Sequence, residues 1–287
     1  MKKNRHNSKV DITKLSGTLI QTETQLQTYG EGDSMLVVDY DAHHYNEWFA
    51  DSIESAYARI DKETATWMNI NCVCDTKLTE SVSTHFGFSQ LVLSNLLNQD
   101  SWSTYLVYPE YSYLSLNTVR FDLERFEINV DRICCVLGKD ILLTFQENSG
   151  PLFSKIRERI KESTGIVRRV GVDYLQYLLI NTLLCQITSQ LEMSDKMILS
   201  MENETDYETE NQLISRCYKL KRLLIKSEVV ILPQLLSLKK IIQTKAFIKD
   251  SHMCFYEDLQ SRAYAIEITL KAQIQRLDNV QFKVKQT

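Results

Sequence analysis

The sequence predicts an α+β protein, with an α/β layered domain around a mixed sheet followed by long helices. Three observations carry this. Of 287 residues only 8 are Gly and 3 are Pro, well under the average usage of roughly 7% and 5%, which disfavours a loop-rich chain or a tight-turned sandwich. Up to about residue 148, short β-rich runs alternate with short helical ones. After Pro151 the apolar residues recur at helical spacing, and Gly165, Gly171 and Pro233 are the only breakers left. Two parts are expected, residues 1–163 forming the α/β domain and residues 164–287 the helical part.

Taken in chain order, Ser34 to Asp39 reads as a strand and Tyr45 to Ile60 as a helix. Thr66 to Asn71 alternates apolar and polar residues, as a strand does. Lys77 to Phe86 and Leu91 to Leu97 read as helices. Tyr105–Tyr108 and Tyr111–Val119 suggest a hairpin with Pro109-Glu110 in its turn. Glu127–Leu137 and Ile141–Phe145 suggest a second, joined by Gly138-Lys139-Asp140. Leu152 to Glu162 is a short helix that Gly165 is expected to end.

From Asp173 to about Met201 the pattern is helical, and Glu202, Glu204, Asp206, Glu208 and Glu210 then suit an exposed acidic hairpin tip. Leu213, Cys217, Leu220, Leu224, Ile231, Leu235, Leu238 and Ile242 follow the narrow seam of a long antiparallel pair. Pro233 is expected to interrupt and kink that helix. A last helix from about His252 carries Phe255, Leu259, Ile266, Leu270, Ile274, Leu277 and Val284 on one stripe. At 1.5 Å per residue it extends roughly 50 Å, so it is expected to project and to need partners.

A net charge of −4 and a pI near 5.8 argue against a nucleic-acid partner. Seven Cys, with no apolar stretch after the basic start, fit a reducing compartment and thiols that act as small hydrophobes. No apolar run approaches the roughly 18–20 residues that cross a bilayer, so the chain as given is expected to be soluble. Lys271, Arg276, Lys283 and Lys285 against Asp278 give the last helix a cationic end. That excess fits either a helix C-terminus or a cytoplasmic juxtamembrane segment.

Val136-Leu137-Gly138-Lys139-Asp140-Ile141-Leu142-Leu143-Thr144-Phe145-Gln146-Glu147 resembles a strand pair of the CorA-type magnesium and cobalt transporters. So do Phe153, Ile156 to Ile160, Gly165 to Arg169, Asp173 to Leu178, and the Ile231-Leu232-Pro233 of the long helix. Upstream, Trp67-Met68-Asn69 stands where that family has Trp-Ile-Asn, and Phe86-Gly87-Phe88 is followed by the expected Leu91-Val92-Leu93. The ordered set runs from about residue 15 to 280. The resemblance implies a cytosolic α/β funnel domain, a helical hairpin with an acidic tip, and a stalk helix entering the first of two membrane spans. It also implies a homopentamer around a pore, in the cell inner membrane with this segment on the cytoplasmic side. The chain ends before such a span and holds no Gly-Met-Asn. The implied reading is a piece of a longer membrane protein, cut at Thr287.

The resemblance further implies Mg2+ as regulatory and transported ion, bound by carboxylates between neighbouring domains and not tightly held. Hard divalent cations take oxygen ligands. The matching positions here are Ser94 and Asn95 on the short apolar helix, Asn181 on the first long helix, and Ser261 on the stalk, with Glu257 and Asp258 beside it. The carboxylates are largely replaced by neutral groups, so a weaker or different ion dependence is expected, with Glu80 a further substitute. Cys72-Val73-Cys74 lacks a matching pair for zinc. Cys134-Cys135 is read as packing, His43-His44 as surface histidines, and Lys155, Arg157, Arg159, Lys161, Arg168 and Arg169 as a salt-bridged solvated surface. No nucleotide-binding, hydrolase or metalloprotease motif occurs, so an enzyme is not expected. The expected function is gating of a CorA-like divalent cation transporter for Mg2+, with Co2+ or Ni2+. The alternatives are a zinc-transporting branch of the same fold and a stand-alone helical scaffold.

Overall fold

Seven strands share one sheet in the order β2-β1-β3-β7-β6-β5-β4. The computed structural model describes residues 35–60, 63–71, 76–98, 103–146, 151–203 and 210–284. The strands are β1 (Met35–Tyr40), β2 (Tyr45–Ala50), β3 (Ala65–Asn71), β4 (Tyr105–Val107), β5 (Ser112–Asp122), β6 (Glu127–Leu137) and β7 (Ile141–Gln146). The helices are α1 (Ile53–Tyr57), α2 (Thr76–His85), α3 (Gln90–Leu97), α4 (Ser154–Lys161), α5 (Val172–Glu202), α6 (Glu210–Thr244) and α7 (Met253–Val284). Only the central β3–β7 pair is parallel, so the sheet is mixed, as expected.

Strand alternation divides the apolar side chains between two layers. Met35 and Val37 of β1 point to one face with Met68 and Ile70, where α1, α2 and α3 cover them through Ile53, Val82, Val92 and Leu96. Leu36, Val38 and Tyr40 point to the other face with Trp67, and there α4, α5, α6 and α7 close the larger core. The parallel pair is fixed by a buried polar chain. The Trp67 indole N–H donates to Thr144 Oγ1 at 2.9 Å, and that hydroxyl donates to Asn69 Oδ1 at 2.7 Å. Gln146 Nε2 donates to the same oxygen at 2.6 Å. Burying these groups is tolerable because each finds a partner, which gives the Trp67-Met68-Asn69 motif its structural role.

The segment expected as one helix from Tyr45 to Ile60 is strand β2 followed by the single turn α1. Asp41 decides this. Its Oδ1 accepts the backbone N–H of His43 at 2.6 Å and of His44 at 2.7 Å, folding the chain into a hairpin. β2 then pairs with β1 from Tyr40↔Tyr45 to Met35↔Ala50. Tyr45, Trp48 and Phe49 sit at helical spacing, but strand alternation is what turns Trp48 and Ala50 inward. His43 and His44 therefore occupy an exposed turn rather than a helix.

Gly165 does not end α4. Ser163 does, at φ 55°. Its N–H donates to Ile160 O at 3.1 Å, and the Thr164 N–H donates to Arg159 O at 2.9 Å. This is a Schellman closure with serine at the left-handed position.

The long helices α5, α6 and α7 have 31, 35 and 32 residues. α7 does not project alone, because α5 and α6 are as long as it is and cover its stripe. Leu259, Ile266, Leu270, Leu277 and Val280 are buried, with Phe255 and Ile274 packed against them. Contacts of Asp173 with His252 at one end and of Glu202 with Arg276 at the other make α5 and α7 parallel. Lys221–Asp278 makes α6 antiparallel to α7. α6 runs unbroken through Pro233; the ring removes one donor, and the carbonyl left over belongs to Val229, whose residue is 53% exposed and open to water. The expected acidic tip keeps Glu202 at the end of α5, while residues 204–209 lie outside the described residues, as do Cys72 and Cys74.

Two glutamines tie this layer to the sheet. β5 outruns its short partner β4, leaving edge N–H groups without a strand. Gln234 Oε1 accepts the Asn117 N–H at 2.9 Å and Gln190 Oε1 accepts the Phe121 N–H at 2.7 Å.

Candidate functional site

Asn95 is half-buried on α3, a helix with no charged residue. Both ends of α3 are held. Ser89 Oγ accepts the Val92 N–H at 3.2 Å. At the other end the buried Arg132 guanidinium donates to Leu96 O at 3.0 Å and to Asn98 O, placing positive charge at the carbonyl end of the helix. Ser94 and Glu80 are exposed in the same layer.

Asn181, Glu257, Asp258 and Ser261 lie in the opposite layer. Asn181 is half-buried on α5, with the Cys185 thiol 3.9 Å from its Oδ1. On α7, Asp258 Oδ2 accepts from Arg262 Nε at 2.7 Å, and Arg262 Nη1 lies 3.9 Å from Cys185 Sγ. Glu257 and Ser261 are exposed, and the Ser261 hydroxyl donates back to Glu257 O at 3.1 Å. Asn181 and Asp258 do not touch but are linked across the α5–α7 groove through Cys185 and Arg262, while Asn95 is separated from them by the thickness of the sheet.

A divalent cation would need about six oxygen ligands with compensating charge. This groove offers one carboxylate already engaged by a guanidinium, one neutral amide and a thiol. Among the described residues no group of three or more His, Cys, Asp or Glu could hold a metal ion. The residues do not fit a resident Mg2+ within one chain.

A buried polar node at the start of α5 was not singled out as a site in the sequence. Asp173 is 2% exposed. Its Oδ2 accepts the Lys249 N–H at 3.0 Å and lies 2.7 Å from His252 Nδ1. The Tyr256 hydroxyl donates to Asp173 O at 2.8 Å and lies 3.0 Å from Gln176 Oε1. Burial first, and then the Asp173 charge, push the hydroxyls of Tyr40 and Tyr256 far above their ordinary pKa, so both stay protonated. Gly171 makes room here, since a Cβ would stand 2.8 Å from Lys249 Nζ and 2.9 Å from Asp173 Oδ1. The available sequence signal was an acid in the first turn of a helix preceded by glycine, paired with a histidine in the turn before the last helix.

Other sequence candidates are absorbed by packing. Cys134 and Cys135 are buried, and burial raises the Cys135 thiol pKa. Arg157 pairs with Glu47 at 3.2 Å. Arg168 donates to Ile160 O at 2.5 Å and Lys161 O at 2.6 Å, capping α4. In the cationic end of α7, Arg276 pairs with Glu202 and Asp195, and Lys271 with Glu267 at 2.5 Å. No described helix is long and apolar enough to cross a membrane.

The fold defines a class, in which an α/β head packs against a layer of three long helices that Gln190 and Gln234 tie to the sheet. Comparison with known proteins gives the family. The model of the CorA-like Mg2+ transporter proteins matches residues 62–286, and the chain belongs to that family. The cobalt/magnesium transport protein CorA of Thermotoga maritima is 30% identical over 217 residues, covering 76% of this chain and 61% of its own length. The chain thus spans about three-fifths of that curated relative. Among solved structures, the complete CorA magnesium transporter of Methanocaldococcus jannaschii superposes with a TM-score of 0.67 at 11% identity, over 88% of this chain and 77% of its own. The ZntB cytoplasmic domain of Vibrio parahaemolyticus superposes with 0.65 at 12% identity, over 88% of this chain and 98% of its own. These two share the fold.

Proposed function

We propose that this chain is the cytoplasmic gating domain of a homo-oligomeric, CorA-like divalent cation transporter of the inner membrane, carrying Mg2+ and also Co2+ or Ni2+. Residues 1–163 form the head that meets a neighbouring copy, and residues 164–287 transmit its movement toward the membrane. One observation carries the reading. Asn95 is flanked on α3 by Leu91 and Leu97, 55% and 39% exposed, while Ser261 lies beside Tyr264 and Ile268, 65% and 52% exposed, in the opposite layer. These unlike faces can meet only between copies. Contacts between unlike faces build rings when the rotation closes, as a pentamer around a pore requires. Packing that favours the closed ring shifts the population away from the open state.

The 30% identity to a cobalt/magnesium transport protein favours those ions over zinc. The test is metal uptake by cells that lack their own magnesium transporter and express the complete reading frame. Uptake of Mg2+ or Co2+ above the empty-vector level is expected. Uptake of Zn2+ alone, or of no cation, overturns the proposal.

A further inference from the structure

We propose that a buried water links Gln186 of α5 to the Val119 N–H of β5, making Gln186 a third rung of the ladder formed by Gln190 and Gln234. The site belongs to the single chain and does not depend on the transport reading.

Strand pairing fixes which groups of β5 look outward. β5 pairs with β6 in unbroken register from Ser112↔Leu137 to Asp122↔Glu127, so its N–H groups alternate between β6 and the open edge. The Asn117 and Phe121 N–H groups are on the open side, since Gln234 and Gln190 take them at 2.9 and 2.7 Å. Val119 stands midway between them and turns its N–H, and with it its carbonyl, the same way. Val119 is fully buried, and no described residue accepts its N–H.

α5 brings a matching acceptor to that level. Thr244 Oγ1 at the end of α6 lies 3.5 Å from the Tyr105 hydroxyl of β4, while Gln234 earlier in α6 sits on Asn117. α6 therefore runs antiparallel to β5, and α5, antiparallel to α6, runs parallel to it. Gln186 precedes Gln190 by one helical turn, about 6 Å of axis, and Val119 precedes Phe121 by one strand repeat, about 7 Å. The two offsets agree, so Gln186 arrives at Val119 as Gln190 arrives at Phe121.

Gln186 Oε1 is buried and meets no donor. A buried donor and a buried acceptor each left alone are costly, and these two stand at one level of the same seam. A water there accepts from the Val119 N–H and gives one proton to Gln186 Oε1 and the other to the Val119 carbonyl, which supplies the polar partners that a buried water needs. The bridge closes the remaining open donor between Asn117 and Phe121. Three side chains then replace a strand at this edge, and no further strand can add to it.

The test uses the purified, deuterated 287-residue chain and its variants Gln186→Leu and Gln186→Glu. Cross-relaxation between water and the backbone amides of Asn117, Val119 and Phe121 is read by NMR. Val119 is expected to show the signal of a long-lived water, and Asn117 and Phe121 to show none. Gln186→Glu keeps an acceptor and should keep the signal. Gln186→Leu should lose it and speed hydrogen exchange at Val119 by about tenfold, the worth of one hydrogen bond, with Phe121 unchanged. A wild-type Val119 amide without such a water, a signal that survives Gln186→Leu, or exchange that rises equally at all three amides overturns the proposal. Should Gln186→Leu fail to fold, loss of the signal in Gln186→Glu overturns it as well. None of these outcomes bears on metal uptake, so failure here is distinguishable from failure of the transport reading.

Discussion

Ser163 holds a left-handed backbone, φ 55°, that any side chain resists and glycine accepts. Nothing else at the end of α4 needs serine there, since both closing hydrogen bonds come from backbone N–H groups. Ser163→Gly is therefore expected to stabilise the chain by about 0.5–1 kcal/mol, read as a higher denaturation midpoint with an unchanged slope. A lower midpoint would show that the Ser163 side chain contributes more than its backbone costs. The sequence pointed to the nearest glycine, Gly165, because glycine is the usual residue at such ends and a serine in its place carries no signal. Trp67 and Asn69 were legible as a family match, yet their bonding through Thr144 was not, because the partner lies on another strand. The Asp173–His252 node was hidden for the same reason, its members being far apart in sequence and joined only by the fold.

Among elements, the long helices were the most legible, since apolar periodicity over some thirty residues leaves one interpretation. β2 was not, because six residues fit either period and the deciding group, Asp41, lies outside them. The length of α7 was read correctly and its surroundings wrongly, as a single stripe does not reveal that two equally long neighbours cover it. α7 is joined to α5 near its far end by Arg276, whose Nε donates to Glu202 Oε1 at 2.9 Å and Nη2 to Glu202 Oε2 at 2.7 Å, with Asp195 on Nη1. This bidentate bond lowers the Glu202 pKa. A carboxylate held below its unfolded value of about 4.3 adds stability at higher pH and loses it as the pH falls through the folded value. Arg276→Ala is expected to cost about 1 kcal/mol at neutral pH, given that both groups are partly exposed. The cost should shrink toward zero below about pH 4, as measured by urea denaturation across that range. An equal cost at pH 3 and pH 7 would mean that Arg276 acts through packing rather than charge.

For the whole molecule, the two-layer arrangement makes a prediction that no single element contains. With Cys254 changed to Ser, Asn95→Cys combined with Ser261→Cys in the full-length protein in membranes is expected to cross-link between copies. Oxidation should give a ladder of multiples of the chain mass. Cross-linking confined to single chains would contradict both the layer assignment and the ring. The layers themselves were foreshadowed by the alternation of strands and helices, but not which candidate residues fell on which side. That depends on whether each helix crosses above or below the sheet. Mechanically, the node at Asp173 sits at one end of a stiff beam. α7 has 32 residues, which at 1.5 Å each is roughly 48 Å. Joined to α5 at both ends and flanked by α6, it resists bending and tilts only together with α5. A tilt of about 5° at the Asp173 end sweeps the other end through about 4 Å, comparable with the pitch of one helical turn. In the gating proposed above, a displacement at the head too small to break any contact there would be magnified by this leverage at the far end.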